Sequence, residues 1–176
     1  QEFNAVFAKA LDYILELNKQ GIEVIEGTSS IFLKKMFTPD DPNFVDIRSP
    51  VGSGTGQVAY NYDGTVMPSD EGRMISAMGD DLFLLGKVGE LSYGEIVRHD
   101  TVKSLAVASL LDTLPMCSTC WNVPYCGVRP LHNYMHFGDL FAQRPNTPKC
   151  KEHMNIATLL FERLAEDDGT VERIFR

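Results

Sequence analysis

Four cysteines carry the most legible chemistry in this chain: Cys117, Cys120, Cys126 and Cys150, spaced C-x2-C-x5-C-x23-C. Three of these thiols fall within ten residues, in a stretch that also holds Pro115, Pro124 and Gly127. A C-x-x-C turn lets two thiolates converge on one ion, at about 2.3 Å for zinc. Thiolates select zinc or iron–sulfur clusters over hard cations. Cys150 would close a fourth position just before the last helix. A loop so poor in regular structure needs something to order it, and a metal does so because its binding energy is folding energy. Three states suit the pattern: ordinary buried thiols, a structural zinc knuckle, and a cluster held by all four thiolates. Ligand type alone does not separate zinc from iron. His153 is a substitute for Cys150 as ligand, set against the plainer role of a surface or capping histidine.

Other motifs carry less. Gly52-Ser53-Gly54-Thr55-Gly56 has the look of a phosphate loop. A dinucleotide fingerprint must follow a strand and open a helix, and this run opens a hairpin, so it reads as a tight turn with close backbone packing. His132, Asn133, Tyr134 and His136 read as loop packing around the metal. Asp70 and Glu71 beside Arg73 read as a solvated turn. There is no serine nucleophile elbow, no H-E-x-x-H and no P-loop.

The elements that must position the cysteines follow from periodicity. Phe3, Val6, Phe7, Ala10, Leu11, Ile14 and Leu17 recur at helical steps and predict a helix over 3–18, stopped by Gly21. Ile22–Ile25 reads as a short strand. Thr28, Ser29 and Ser30 offer N-caps for a helix through Phe37. Pro39, Asp40, Asp41 and Pro42 break the chain, so a boundary is expected that separates residues 1–38 from 39–176. Residues 50–72 read as a β-hairpin around a type I′ turn at Asp63-Gly64, with 70–73 as a polar turn. Residues 86–94 read as connection. Helices are expected near 93–98 and over 101–112, the latter capped by Asp100 or Thr101. Residues 115–150 read as irregular. A last helix spans 151–165, with Met154, Ala157, Leu160, Phe161 and Leu164 inward. The fold class is α+β: small antiparallel hairpins flanked by helices, with an irregular cysteine-rich loop region.

Composition bounds the function. The 176 residues are 44% hydrophobic and 23% charged, as in an ordinary globular domain. Sixteen basic residues against 24 acidic ones leave a formal charge of −8, which argues against a nucleic-acid partner. No apolar run approaches the roughly 20 residues of a membrane span, and no signal-peptide pattern opens the chain. The expected compartment is cytoplasmic, where cysteines bind metals or catalyse more often than they pair. A start at Gln1 reads as a piece of something longer.

The cysteines and their surroundings resemble a known family. Cys117-Ser118-Thr119-Cys120, Cys126-Gly127-Val128-Arg129-Pro130, His132-Asn133-Tyr134, Gly138-Asp139-Leu140-Phe141 and Lys149-Cys150-Lys151 look like the C-terminal SPASM domain of radical-SAM peptide maturases. The run from Ser49 to Gly64 and the segment Asp70-Glu71-Gly72-Arg73-Met74 are similar to the same proteins, in particular the maturases of the His-Xaa-Ser peptide system. Ala10-Leu11-Asp12-Tyr13-Ile14 resembles the end of their radical-SAM barrel. The resemblance implies an auxiliary iron–sulfur module of an enzyme that modifies a ribosomally made peptide. Its partners would be that peptide and a radical-SAM barrel domain, where S-adenosylmethionine and the C-x3-C-x2-C cluster belong. Neither motif nor barrel is in this chain, so the module would not begin the radical reaction alone. The family places cysteines for a first auxiliary cluster at positions matching Val51, Ser69 and Arg129. Their joint replacement implies a single [4Fe–4S] cluster, held by Cys117, Cys120, Cys126 and Cys150, or one zinc ion in its place. The rival expectation is a zinc- or cluster-stabilised module that binds a peptide or protein without catalysis. An exposed apolar face on the first helix would explain a homodimer.

Overall fold

The computed structural model describes residues 2–166 and 169–173. Its contacts group the chain into two compact units, one of residues 1–44 with 146–176 and one of residues 45–145. The expected boundary after residue 38 is a linear one, whereas these contacts return the last helix to the first segment.

In the first unit, helix α1 (Glu2–Lys19) packs on α7 (Pro148–Ala165) and on the short α8 (Thr170–Arg173), and α2 (Gly27–Phe37) packs on α7. Leu11, Phe32, Leu33, Ile156, Ala157 and Leu160 supply its buried apolar groups. Arg163 crosses from α7 to Asp12 of α1 with Nε–Oδ1 at 2.6 Å. Ile22–Ile25 is not a strand. Its β-branched residues find no neighbouring strand, and the Val24 carbonyl instead accepts from the Asn18 side chain at 2.8 Å. The cap of α2 is Glu26 rather than Thr28, Ser29 or Ser30; its carboxylate accepts from the Thr28 and Ser29 N–H groups and complements the helix dipole. Helix α7 starts three residues earlier than its periodicity suggests, because Thr147 caps it and Pro148 takes the first position. Phe161, expected inward, is exposed, and Ile156 and His153 take the buried face with Ala157 and Leu160. Phe3, Val6 and Tyr13 of α1 stay exposed.

The second unit is built on a three-stranded antiparallel sheet in the order β1 (Ala59–Tyr60), β2 (Thr65–Met67), β3 (Gly86–Lys87). Ala59 pairs with Met67 and Tyr60 with Val66. Helix α3 (Asp70–Ala77) packs on β1 and β2 and on α6 (Pro130–Phe137); α4 (Tyr93–Arg98) packs on α5 (Asp100–Ser109), and α5 on α6. The hairpin is present, yet its turn is not type I′. Gly64 donates to the Asn61 carbonyl at 3.0 Å and alone takes positive φ, the type I turn followed by a left-handed glycine that serves a three-residue loop. Residues 70–73 open α3 instead of forming a polar turn, with Asp70 and Glu71 in its first turn. Strand β3 lies in the expected connection; two residues led by a glycine leave no periodic signal. Helix α5 begins at Asp100, capped by the His99 Nδ1 instead of Asp100 or Thr101, and ends at Ser109, with a 3-10 helix over 111–113. Helix α6 lies inside the segment read as irregular: Pro130 holds its first position and Gly138 ends it at φ 66°.

The core of this unit has three parts. Val66, Leu85, Ile96 and Val102 pack beneath the sheet. Ile75, Phe83, Leu105 and Leu131 join α3, α5 and α6. Leu111, Leu114 and Val128 form the third, and this one supports the cysteines. Among the described residues no helix is long and apolar enough to cross a membrane.

Candidate metal centre

The cysteine loop is a chain of tight turns. After the 3-10 helix at 111–113, the Cys117 and Ser118 N–H groups both donate to the Leu114 carbonyl at 3.1 Å. Cys120 N–H donates to the Cys117 carbonyl at 2.9 Å, and Val123 N–H to the Cys120 carbonyl at 3.2 Å. A second 3-10 helix, Val123–Tyr125, ends at Cys126. Met116, at φ 63°, is a non-glycine residue in the left-handed region, where a side chain costs roughly 1–2 kcal/mol. The far end of the loop is pinned by Gly127, where a Cβ would strike the Asp46 carbonyl oxygen and lie 2.6 Å from Ile47 Cα. Only glycine lets the two backbones approach this closely.

These turns place the thiols. Cys117, Cys120 and Cys126 are half-buried thiols rather than disulfides. Cys117 and Cys126 rest against one apolar cluster, that of Leu111, Leu114 and Val128, and the Cys126 thiol lies 3.6 Å from the Gly127 carbonyl oxygen as donor. Cys150 belongs to the other compact unit. It sits in the first turn of α7 rather than before the helix, with its N–H bonded to the Thr147 hydroxyl at 3.2 Å and its sulfur 4.0 Å from the Met154 sulfur. Among the described residues, no three or more His, Cys, Asp and Glu side chains are gathered closely enough to hold a metal ion. The structure therefore brings Cys117 and Cys126 to one cluster and sets Cys120 between them in the same turns.

One residue that sequence reasoning missed stands inside this loop. Asn122 is 1% exposed, and neither its Nδ2 nor its Oδ1 has a hydrogen-bond partner. Leaving such groups buried and unpaired costs about 1–3 kcal/mol each. An asparagine between cysteines gives no sign in the sequence that it will be buried. The loop presents thiols, which are soft donors, and it holds a polar group that the protein does not satisfy.

The remaining sequence-predicted residues are placed elsewhere. His153 is no surface or capping residue; it is 7% exposed and meets the Phe32 ring edge-on at 5.6 Å. His132 and His136 lie one turn apart on α6 with ring centroids 4.2 Å apart. Asn133 is buried and donates to the Leu140 carbonyl at 3.0 Å. The Tyr134 hydroxyl donates to Asp80 at 2.6 Å, which holds the Asp80 carboxyl below its ordinary range and pushes the phenol up. Asp70 and Arg73 form an exposed pair at 3.3 Å. The glycine run closes on itself: the Thr55, Gly56 and Gln57 N–H groups all donate to the Gly52 carbonyl, at 3.1, 2.7 and 3.0 Å. That carbonyl occupies the place where an anion would sit, which supports the reading of a tight structural turn.

The three positions where the resemblance expects further cysteines are filled by other contacts. Val51 is buried and its N–H donates to the Ser109 hydroxyl at 3.0 Å. Ser69 is buried and donates to Glu71 at 2.7 Å. Arg129 Nη1 lies 3.1 Å from Asp46 and 3.9 Å from Glu71, so a guanidinium between two carboxylates stands where a thiol would be needed. No protein-family model, curated protein or solved structure matches this chain.

Proposed function

We propose that Cys117, Cys120, Cys126 and Cys150 hold one thiolate-ligated [4Fe–4S] cluster, and that the chain is the auxiliary, SPASM-like module of a radical-SAM enzyme that modifies a ribosomally made peptide. The observation that carries the metal part is the loop itself: three thiols on one run of tight turns, the same run that holds a buried amide without a partner. The family part rests on the resemblance over residues 49–74 and 117–151. When bound, such a cluster supplies electron transfer; a site closed by four thiolates leaves no position for substrate. The chain's own residues position and shield. Leu111, Leu114 and Val128 keep water from one side of Cys117 and Cys126, and Gly127 fixes the loop end against Ile47. S-adenosylmethionine belongs to a partner barrel in this reading, and the exposed Phe3, Val6 and Tyr13 of α1 suit contact with that barrel or with a second copy.

Iron, zinc and sulfide content of protein purified without oxygen tests the proposal. About four iron and four sulfide per chain is the expected result. Neither metal would remove the site. Ser69→Cys should leave the iron count unchanged, because Val51 and Arg129 still lack thiols; a second cluster's worth of iron would contradict the single-cluster reading.

A second reading, a zinc- or cluster-stabilised peptide-binding module without catalysis, is favoured by the sheet. Strand β1 lies at its edge, with Tyr60 exposed and Tyr62 99% exposed beside it. An edge of this kind accepts an extended peptide as an added strand, with aromatic side chains for contact. About one zinc and no sulfide would select this reading.

A further inference from the structure

We propose that helix α1 pairs antiparallel with α1 of a second copy of this chain, in the one heptad register that sets Lys9 beside the partner's Glu16. Of the two contacts that the exposed face of α1 suits, the inference commits to the second copy, and it stands whether or not the cysteines hold a metal. Helix α1 has two apolar faces. On one, Leu11 is buried and Phe7, Ile14 and Leu15 are half-buried, as the packing on α7 and α8 requires. The other is Phe3, Val6, Ala10, Tyr13 and Leu17. Its steps of three, four, three and four residues are those of positions a and d in a coiled coil, the stripe that a second helix covers. This stripe faces outward: Phe3 is 54%, Val6 66% and Tyr13 66% exposed, and Ala10 is exposed with them.

The flanking positions identify the second helix. With Phe3 as a, the g positions are Glu2, Lys9 and Glu16, and the e positions are Phe7 and Ile14. Parallel pairing sets g against e, which here puts charges against apolar groups. Antiparallel pairing sets g against g and e against e, so charge meets charge and apolar meets apolar. It also makes a two-fold, self-complementary contact, the commonest way for a chain to associate with itself. Register then follows from sign. Ala10 opposite the partner's Tyr13 puts Lys9 beside the partner's Glu16 and, by symmetry, Glu16 beside the partner's Lys9. A slip of one heptad either way sets Lys9 against the partner's Lys9 or Glu16 against the partner's Glu16, and like charges disfavour both. The favoured register also interleaves large and small side chains, with Tyr13 over the partner's Ala10. Phe3 falls at the end of the partner's helix, where Ile22, 51% exposed, follows Gly21. Lys9 and Glu16 are both exposed, and the bond that Glu16 accepts from Gln20 at 3.1 Å lies at the surface, so both side chains can turn to the partner.

Sedimentation equilibrium of the 176-residue chain over a range of concentrations, with circular dichroism of each sample to verify its helices, tests this. The wild-type chain should weigh twice 19.6 kDa. Tyr13→Glu should weaken association at least about 100-fold, because it buries two carboxylates in the seam, one from each copy, while its exposed site leaves the fold of each copy unchanged. Lys9→Glu and Glu16→Lys should each weaken it about tenfold, since each turns two opposite-charge pairs into like-charge ones. The double variant Lys9→Glu/Glu16→Lys should regain wild-type association. An equimolar mixture of the two single variants should regain it as well, because every pair in the mixed dimer is again of opposite sign. These charge variants decide the matter if Tyr13→Glu does not fold. A wild-type chain that stays monomeric at the highest concentration overturns the inference and leaves the metal reading standing. A dimer that survives Tyr13→Glu overturns it by putting the interface elsewhere. A dimer that neither the double variant nor the mixture restores overturns the antiparallel register, and the inference with it.

Discussion

The glycine loop at 52–57 and the cysteine loop at 114–127 lie in the same compact unit and differ in how they settle their polar groups. The glycine loop points three N–H groups at its own Gly52 carbonyl, and Gly54 N–H lies 2.8 Å from both the Gln57 and Pro68 carbonyls. Tyr93 adds a hydroxyl to the Thr55 carbonyl at 2.9 Å. The cysteine loop also turns tightly on its own main chain, yet leaves Asn122 buried without a partner and three thiols half-buried. Two segments with the look of binding loops thus separate on one criterion. The first loop consumes its donors internally; the second holds a buried amide that the protein does not satisfy.

The largest effect that would break this contrast is metal removal. Stripping a bound metal with a chelator should cost on the order of 4 kcal/mol, the stabilisation from a ligand present at about a thousand times its Kd, and leave the glycine loop unaffected. Cys120→Ser should reproduce the loss and lower metal content; unchanged metal and melting in that variant would take Cys120 off the ligand list. Next in size is Gly127→Ala, expected to cost about 3 kcal/mol, because the new Cβ meets the backbone of Asp46 and Ile47, which has no room to yield. Gly54→Ala should cost less, about 2 kcal/mol, since at φ 77° it is strained but its Cβ meets the Val102 side chain, which shifts more easily than backbone. Denaturant unfolding of both variants checks the order, and the reverse order would sink the distinction between the two anchors.

Ser109→Ala comes next. Its hydroxyl accepts from Val51 N–H at the entry to the glycine loop and donates to the Leu105 carbonyl at 2.7 Å. Removing it leaves a buried N–H unpaired, about 1–2 kcal/mol by urea titration. The smallest effect lies outside both loops, at the Tyr134–Asp80 bond between α6 and the segment after α3. The phenol O–H holds the Asp80 carboxyl low, so this contribution is present above the ordinary carboxylate value and is lost as pH falls through the lowered one. Tyr134, pushed up in turn, contributes below the ordinary phenol value and loses that contribution as pH rises through the raised one. Tyr134→Phe should lower the melting temperature slightly at neutral pH and flatten both limbs; a melting profile parallel to wild type at acid pH would discard this account.

Local signals were legible where the chain states its own geometry. The steps of α1, the Asp63-Gly64 turn and the helix at 93–98 all carry short-range chemistry, down to the Ser92–Glu95 capping box. Helix α6 was hidden because the prolines and cysteines of the segment around it read as loop, although Pro130 and Gly138 are an ordinary start and stop. The strand at 22–25 failed for the opposite reason: β-branched residues favour extension, but extension becomes a strand only with a partner.

What residue order determines here is the inventory: helices by their apolar period, a hairpin by its glycine turn, and three thiols bound to one short segment by covalent spacing. The cysteine loop was recognisable because neighbours along the chain cannot be far apart in space. Burial is another matter. That Asn122 turns inward, that His153 lies against Phe32, and that Gly127 sits on Ile47 depend on residues tens of positions away. Whether a polar atom is satisfied depends on everything packed around it, so no local pattern encodes it and the folded chain alone sets it.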